Sequence, residues 1–262
     1  MPKHYLLLFL FFLTHFVSAQ ENFNITKISN ALFSPVTMDF EIRGDFAYCA
    51  DEYGLSVWDM SDPENLTKIS HCQTAGKAYR LCINGDFAYI PETGYGLTVV
   101  DISDLENPEV VNQIEVDLHR GGDYLDLTIN DGLLYICGGR YGFYIASIED
   151  PAEPEILYQY QVDDSHIHKF LFTEDASYLL GTGLSVLNVQ DPENVEVINY
   201  VDLGNAYDIC YYENRLGIIT EDGLSFYSLD DPHEPEFVGL YETRIWIYTG
   251  AMQISGDIAY AS

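Results

Sequence analysis

A glycine followed by a large apolar residue recurs five times in this chain, at Gly54-Leu55, Gly96-Leu97, Gly142-Phe143, Gly183-Leu184 and Gly223-Leu224, with intervals of 42, 46, 41 and 40 residues. Eight residues after each glycine stands an aspartate: Asp62, Asp104, Asp150, Asp191 and Asp231. Proline follows four of them, and Leu105 follows the second. A constant inner spacing inside a variable outer one describes a single supersecondary unit joined by adjustable loops.

The second unit reads as four short strands, a to d, over 79–83, 87–90, 97–102 and 110–116. Asn84-Gly85-Asp86 supplies the a-to-b turn and Tyr95-Gly96 closes b to c. In strand c, Leu97, Val99 and their equivalents Leu55, Val57, Phe143, Ile145, Leu184, Val186, Leu224 and Phe226 alternate with Thr98, Ser56, Tyr144, Ser185 and Ser225. A period of two buries one face against a neighbouring sheet. The repeated aspartate then ends strand c, because its carboxylate accepts a backbone N–H in a turn and the following proline cannot continue the ladder. All five aspartates are therefore expected in equivalent structural turns. No stretch carries a sustained helical period, so the chain is expected to be all-β.

Four strands in every forty-odd residues predict a β-propeller of four-stranded antiparallel blades, which hides sheet edges by radial packing. A β-solenoid has shorter repeats, and leucine-rich repeats lack four strands. The repeat units fall at 44–84, 85–130, 131–175, 176–214 and 215–255, with a partial unit at 256–262, in a domain spanning 20–262. That gives five complete blades and part of a sixth.

The strings Gly-Leu-Ser-Val-Trp-Asp-Met-Ser-Asp-Pro at 54–63 and Gly-Leu-Thr-Val-Val-Asp-Ile-Ser-Asp at 96–104, with the recurring Gly-Asp-Phe-Ala-Tyr, resemble the LVIVD repeat of bacterial and archaeal surface or secreted propellers. The resemblance implies an extracellular β-propeller and brings no catalytic residues with it. Units three to five depart from the motif: Ser147, Asn188 and Ser228 replace the aspartate of strand c, and Gly217 replaces the tyrosine of strand b.

The first nineteen residues read as a signal peptide: Lys3 and His4, an apolar run over 5–13, then Val17-Ser18-Ala19 before the cleavage point. That run is too short to span a bilayer. A secreted or cell-surface protein is expected, with no stable membrane insertion after cleavage. Residues 22–29 resemble strand d of the first unit at 64–70 and are expected to close the last blade. Residues 247–254 and 256–260 read as strand a and the start of b, so the sequence reads as truncated at its C-terminus.

Composition excludes some partners. The chain carries 11 bases against 42 acids, a net charge of -31, with 47% hydrophobic residues. That apolar content suits a packed domain rather than an acidic tail, and the charge argues against nucleic-acid and anionic-membrane binding. Five cysteines, Cys49, Cys72, Cys82, Cys137 and Cys210, form no C-x-x-C pair and sit mostly in apolar runs. Buried free thiols are expected, with a single bridge left open.

In a propeller the d-to-a and b-to-c loops share one rim, which gathers 71–77, 117–123, 162–168, 202–206 and 242–246. In or beside these segments lie Lys77, Arg80, Arg120, Arg140, Lys169 and Arg244. Arg80, Asp126, Lys169 and Asp208 align at one column of strand a and are expected to face the central channel. Two readings follow: a polar, locally cationic funnel for an acidic or sugar-like ligand, or scarce bases paired with abundant acids. Tyr53, Tyr95 and Tyr141 each precede a b-to-c glycine. Their rings would stack on sugars or partner side chains, or else cover the glycine backbone.

His166 and His168, alternate residues that share one strand face, are the metal candidates, with Asp163, Asp164 and His119 expected near them, but the sequence places no convergent third ligand. No H-E-x-x-H, G-x-S-x-G, EF-hand or phosphate-binding glycine loop occurs. No metal, cofactor or catalytic residue is therefore assigned. A recognition or scaffold module for an extracellular protein or carbohydrate is expected. The alternative is a hydrolase or lyase using His119, His166 or His168 with Asp126 or Asp208.

Overall fold

The repeated aspartates set the local structure from which the rest is built. Through Oδ1, Asp62, Asp104, Asp150, Asp191 and Asp231 accept the backbone N–H groups of Glu64, Glu106, Ala152, Glu193 and His233 at 2.9 to 3.2 Å. Their carbonyls accept the N–H one residue further on, from Asn65, Asn107, Glu153, Asn194 and Glu234. Five equivalent Asx turns result. The residue ending strand c acts in the same way: Asp59, Asp101 and Asn188 accept the N–H two residues ahead through a side-chain oxygen. Ser147 and Ser228 do so through the hydroxyl. The departures from the repeat motif thus exchange one short acceptor for another and keep the turn.

The structure, a computed structural model, describes residues 37–52, 54–118, 125–161, 166–242, 252–255 and 258–261. The first blade is β1 (Thr37–Arg43), β2 (Phe46–Asp51), β3 (Gly54–Asp59) and β4 (Thr67–Gln73). The second is β5 (Cys82–Asn84), β6 (Phe87–Glu92), β7 (Gly96–Asp101) and β8 (Glu109–Ile114). The third is β9 (Leu125–Asn130), β10 (Leu133–Gly138), β11 (Phe143–Ser147) and β12 (Glu155–Tyr160). The fourth is β13 (Lys169–Phe172), β14 (Ser177–Leu180), β15 (Gly183–Asn188) and β16 (Glu196–Asp202). The fifth is β17 (Ala206–Tyr212), β18 (Arg215–Thr220), β19 (Gly223–Ser228) and β20 (Glu236–Glu242). A hairpin, β21 (Met252–Ser255) with β22 (Ile258–Ala261), begins a sixth. Every blade is an antiparallel meander in chain order. Residues 1–19 and 22–29, and with them the expected signal peptide and closing strand, lie outside the described residues.

At the b-to-c turn, Gly54, Gly96 and Gly142 take φ of +132°, +86° and +83°. A Cβ there would also strike the carbonyl of Cys72, Ile114 or Tyr160 in strand d. At these three positions sterics alone therefore demand glycine.

The core consists of seams between successive blades. Leu55 and Val57 of β3 pack with Ala88, Ile90 and Val100 of the second blade. The same arrangement recurs at the later seams, with Tyr89, Leu97 and Val99 against Leu134 and Ile136, and Leu184 and Val186 against Ile209 and Ile218. Strand c was expected to bury one face; in the first three blades it buries both. Ser56, Thr98 and Tyr144 are also buried, because their side meets the preceding blade or strand neighbours. Side chains tie the first, second and fourth blades to the next one's Asx turn. Tyr89 Oη donates to the Pro151 carbonyl at 2.9 Å and Tyr178 Oη to that of Pro232 at 2.7 Å. Ser70 Oγ donates to Leu105, and Asn112 and Asn199 to Ala152 and His233.

Two local departures have clear causes. Strand a of the second blade, expected at 79–83, pairs only as Cys82–Asn84. Continuing the register Cys82↔Tyr89 sets Arg80 opposite Pro91, which has no N–H, so the ladder lapses until the Ala78↔Glu92 bridge. Every outer strand also carries one extra residue: Ile69, Val111, Leu157, Ile198 and Val238. Such bulges increase twist and blunt an edge against pairing with another chain.

All five cysteines are free. Cys49, Cys72 and Cys137 are buried as expected, whereas Cys82 and Cys210 are half-buried. Burial raises every one of these thiols, Cys49 to about 12.

Candidate functional site: the channel belt and the rim

The innermost strands bring one charged residue per blade to a common rung. Asp39 pairs with Ala50, Asp126 with Cys137, Lys169 with Leu180 and Asp208 with Ile219. Each of those partners faces the residue after the repeat glycine, namely Leu55, Phe143, Leu184 and Leu224. Arg80 holds the same position in the second blade, opposite Pro91 by register. The belt reads Asp39, Arg80, Asp126, Lys169, Asp208, alternating in sign.

Most of these charges are engaged. Lys169 Nζ lies 2.7 Å from Asp208 Oδ1, and Arg80 Nε lies 3.9 Å from Asp126 Oδ1. Asp208 Oδ2 also accepts the N–H of Met252 at 2.6 Å, and Asp39 Oδ2 that of Leu81 at 3.0 Å. Burial pushes Asp126 up to about 7 against the pull of Lys169 and Arg80, with Asp39 and Asp208 adding to the rise. Burial likewise raises Asp39. Burial pulls Lys169 down, but Asp208 and Asp126 outweigh it and hold the ammonium above its ordinary value.

On the rim between the first two blades, Lys77 and Tyr95 come together. The Lys77 ammonium sits 2.9 Å from Glu52 Oε1. Tyr95 is 52% exposed. Its backbone carbonyl accepts from Gln113 Nε2 at 3.0 Å, and its ring presses on Gly76, where a Cβ would lie 2.7 Å from Cδ2. A cleft of about 480 Å³ opens here, lined by Glu52, Gln73, Thr74, Lys77, Tyr79 and Tyr95.

The other candidates are placed differently. Arg140 does not join the belt: its Nη2 donates to Tyr141 Oη at 3.1 Å and its guanidinium lies 5.1 Å from that ring's centre, so the two side chains occupy each other. The N–H of Ile167, between His166 and His168, donates to Gly139 of the third blade. Burial, then the charge of His166, drops His168 to about 4, so its imidazole is neutral at physiological pH. Among the described residues no three His, Cys, Asp or Glu side chains stand together as metal ligands. Tyr53, His119, Arg120, Asp163, Asp164 and Arg244 lie outside the described residues.

Three features escaped the sequence reading. Asp39 completes the belt; it stands fifteen residues before Gly54, as Asp208 does before Gly223. Two acids at the end of strand b are buried and bonded to the hydroxyl two residues after the repeat glycine. Ser56 Oγ donates to Asp51 Oδ2 at 2.6 Å, and Thr98 Oγ1 to Glu92 Oε2 at 2.7 Å. Glu92 Oε1 has no hydrogen-bond partner among the described residues. His71 Nδ1 lies 3.1 Å from Ser56 Oγ. This is no nucleophile triad, since the buried serine spends its proton on the aspartate rather than on the imidazole.

The LVIVD repeat model matches residues 36–74 and 75–115. These are the two blades that keep Asp59 or Asp101 and hold a buried acid against a hydroxyl. No curated protein matches the sequence. Among solved structures, the periplasmic gluconolactonase PpgL of Pseudomonas aeruginosa is similar at 9% identity and a TM-score of 0.65, over 79% of this chain and 70% of that one. A functionally unknown protein from Desulfotomaculum acetoxidans shares 16% identity at a TM-score of 0.65, over 80% and 71%. The β-propeller domain of Myceliophteria thermophila Cps50 (Swd1) shares 13% at 0.58, over 78% and 72%. At such identities the likeness is one of fold. The chain is a β-propeller whose first two blades are LVIVD repeats.

Proposed function

We propose that this chain is an exported recognition module whose rim binds a protein or glycan partner outside the cell without transforming it. The observation that carries the reading is the cleft between the first two blades. It combines an exposed, braced aromatic ring with an amide, a hydroxyl and an ion pair, the mixture that stacks on a sugar or a partner side chain and bonds its polar edge. The signal-like residues 1–19 and the acidic composition favour export as a soluble chain. Lys169 of the belt is already committed to Asp208, and His168 is half-buried and neutral.

A hydrolase is the second reading. Asp126, raised to about 7, has the proton affinity of a general acid or base near neutral pH. One structural neighbour at 9% identity carries the name gluconolactonase. Lactone and ester hydrolysis measured on the wild type and on Asp126→Asn separates the two. Absent turnover in both, with partner capture weakened by Tyr95→Ala, supports recognition; turnover that disappears in Asp126→Asn overturns it.

A further inference from the structure

The seam between the third and fourth blades differs from the others at the b-to-c turn. In the first two blades the position ending strand b holds a buried acid bonded to the strand c hydroxyl. In the third blade the space belongs to the Tyr144 side chain, whose Oη meets Asp117 and Gln159. The fourth blade has Gly181 where the acids stand, and only Thr182 separates it from Gly183. Gly183 differs from Gly54 and Gly96 as well: a Cβ there would meet the Tyr200 ring rather than a backbone carbonyl.

Removing the acid and shortening the turn leaves a cavity of about 320 Å³. Its walls include Phe143, Tyr160, Leu179, Val197 and Tyr200, with Ser185 contributing a hydroxyl. The Phe143 and Tyr160 rings stack at 5.3 Å between centres. Among the described residues no charged side chain lines the space. Ser185 is only half-buried, unlike Ser56 and Thr98, and among the described residues no carboxylate lines the space beside it to take its proton.

We propose that this seam binds a small neutral phenol. A cavity near the lower end of ligand-pocket volumes, about 300 Å³, admits one ring and few substituents. The aromatic walls favour an aromatic guest over an aliphatic one. The absence of charge among the described lining residues penalises an ionised guest, while the Ser185 hydroxyl and the Tyr200 phenol give a guest hydroxyl a bonding partner. The site is separate from the rim cleft, which lies between the first and second blades.

Titration of the full chain with p-cresol and with toluene, followed by calorimetry and by NMR, tests this. Saturable p-cresol binding is expected, with toluene about 5- to 10-fold weaker for want of the hydroxyl. Ser185→Ala should weaken p-cresol toward the toluene affinity, and unchanged p-cresol affinity in that variant counts against the proposal. Val197→Trp, at a half-exposed position on the cavity wall, should abolish binding of both, and Tyr95→Ala should change neither. Should Val197→Trp fail to fold, nuclear Overhauser contacts between p-cresol ring protons and the Val197 methyls of the wild type decide the point. Equal affinity for the two probes, no saturable binding, or the lack of those contacts overturns the proposal.

Discussion

Asp126→Asn should flatten the pH dependence of stability and make the protein more stable than wild type in mild alkali. In the folded chain the carboxyl takes up its proton at about 7, because burial outweighs the pull of Lys169 and of Arg80, whose Nε is 3.9 Å away. In the unfolded chain it does so near 3.8. A folded-state pKa above the unfolded one means that the native state binds the extra proton between these values. The stabilisation is therefore complete below about pH 4 and is lost as pH rises through 7. At about 1.4 kcal/mol per pH unit, wild type should lose on the order of 4 kcal/mol from this group by pH 8. The side chain is 19% exposed, so solvent screening reduces that figure only moderately. Asparagine matches the neutral carboxyl in shape and cannot ionise. Urea unfolding at pH 4, 6 and 8 should thus find the two proteins alike at pH 4 and the variant ahead at pH 8. A variant less stable than wild type at pH 8 would refute the reasoning and mean that the ionised carboxylate stabilises the belt.

His168 carries the opposite sign: its folded value of about 4 lies below the unfolded 6.5, so its contribution is present above 6.5 and lost as pH falls through 4. His168→Gln should reduce the acid sensitivity of the unfolding midpoint in that window. Tyr178→Phe removes the donor to the Pro232 carbonyl and should cost about 1 to 2 kcal/mol in urea unfolding, whereas a loss below about 0.3 kcal/mol would deny the tie a structural role. Asp150→Ala removes the acceptor of the Ala152 N–H and should cost about 0.5 to 2 kcal/mol, read as a lower denaturation midpoint.

The parts of the fold legible in sequence are those with local causes. Asp62 and its four equivalents bond to amides two and three residues ahead, and Gly54, Gly96 and Gly142 avoid a carbonyl in the same blade, so both leave their mark within one unit. Strand c alternation was legible as a pattern but not as burial: whether Thr98 faces solvent or another sheet depends on the neighbouring blade, not on its own strand. The column Arg80, Asp126, Lys169 and Asp208 emerged from alignment, while Asp39 did not, since its strand precedes the first repeat glycine. Pro91 shortened β5 through a cross-strand effect that the strand's own residues do not reveal. The buried acids Asp51 and Glu92 were hidden by their surroundings in composition, two among 42 acids. A hydroxyl two residues past the repeat glycine, preceded by an acid, is the signal that would have found them.

The rim claim is tested most directly by measuring the affinity of wild type and Tyr95→Ala for the strongest binder in a panel of immobilised glycans and extracellular proteins. Tyr95 is exposed, and its ring contacts Gly76 at the cleft, so truncating it should leave the blades intact. An aromatic anchor at a binding site contributes about 2 kcal/mol or more, so the account predicts affinity about 30-fold weaker with an unchanged unfolding midpoint. Affinity unchanged within about 2-fold in a folded Tyr95→Ala would contradict it and place recognition away from the cleft of the first two blades.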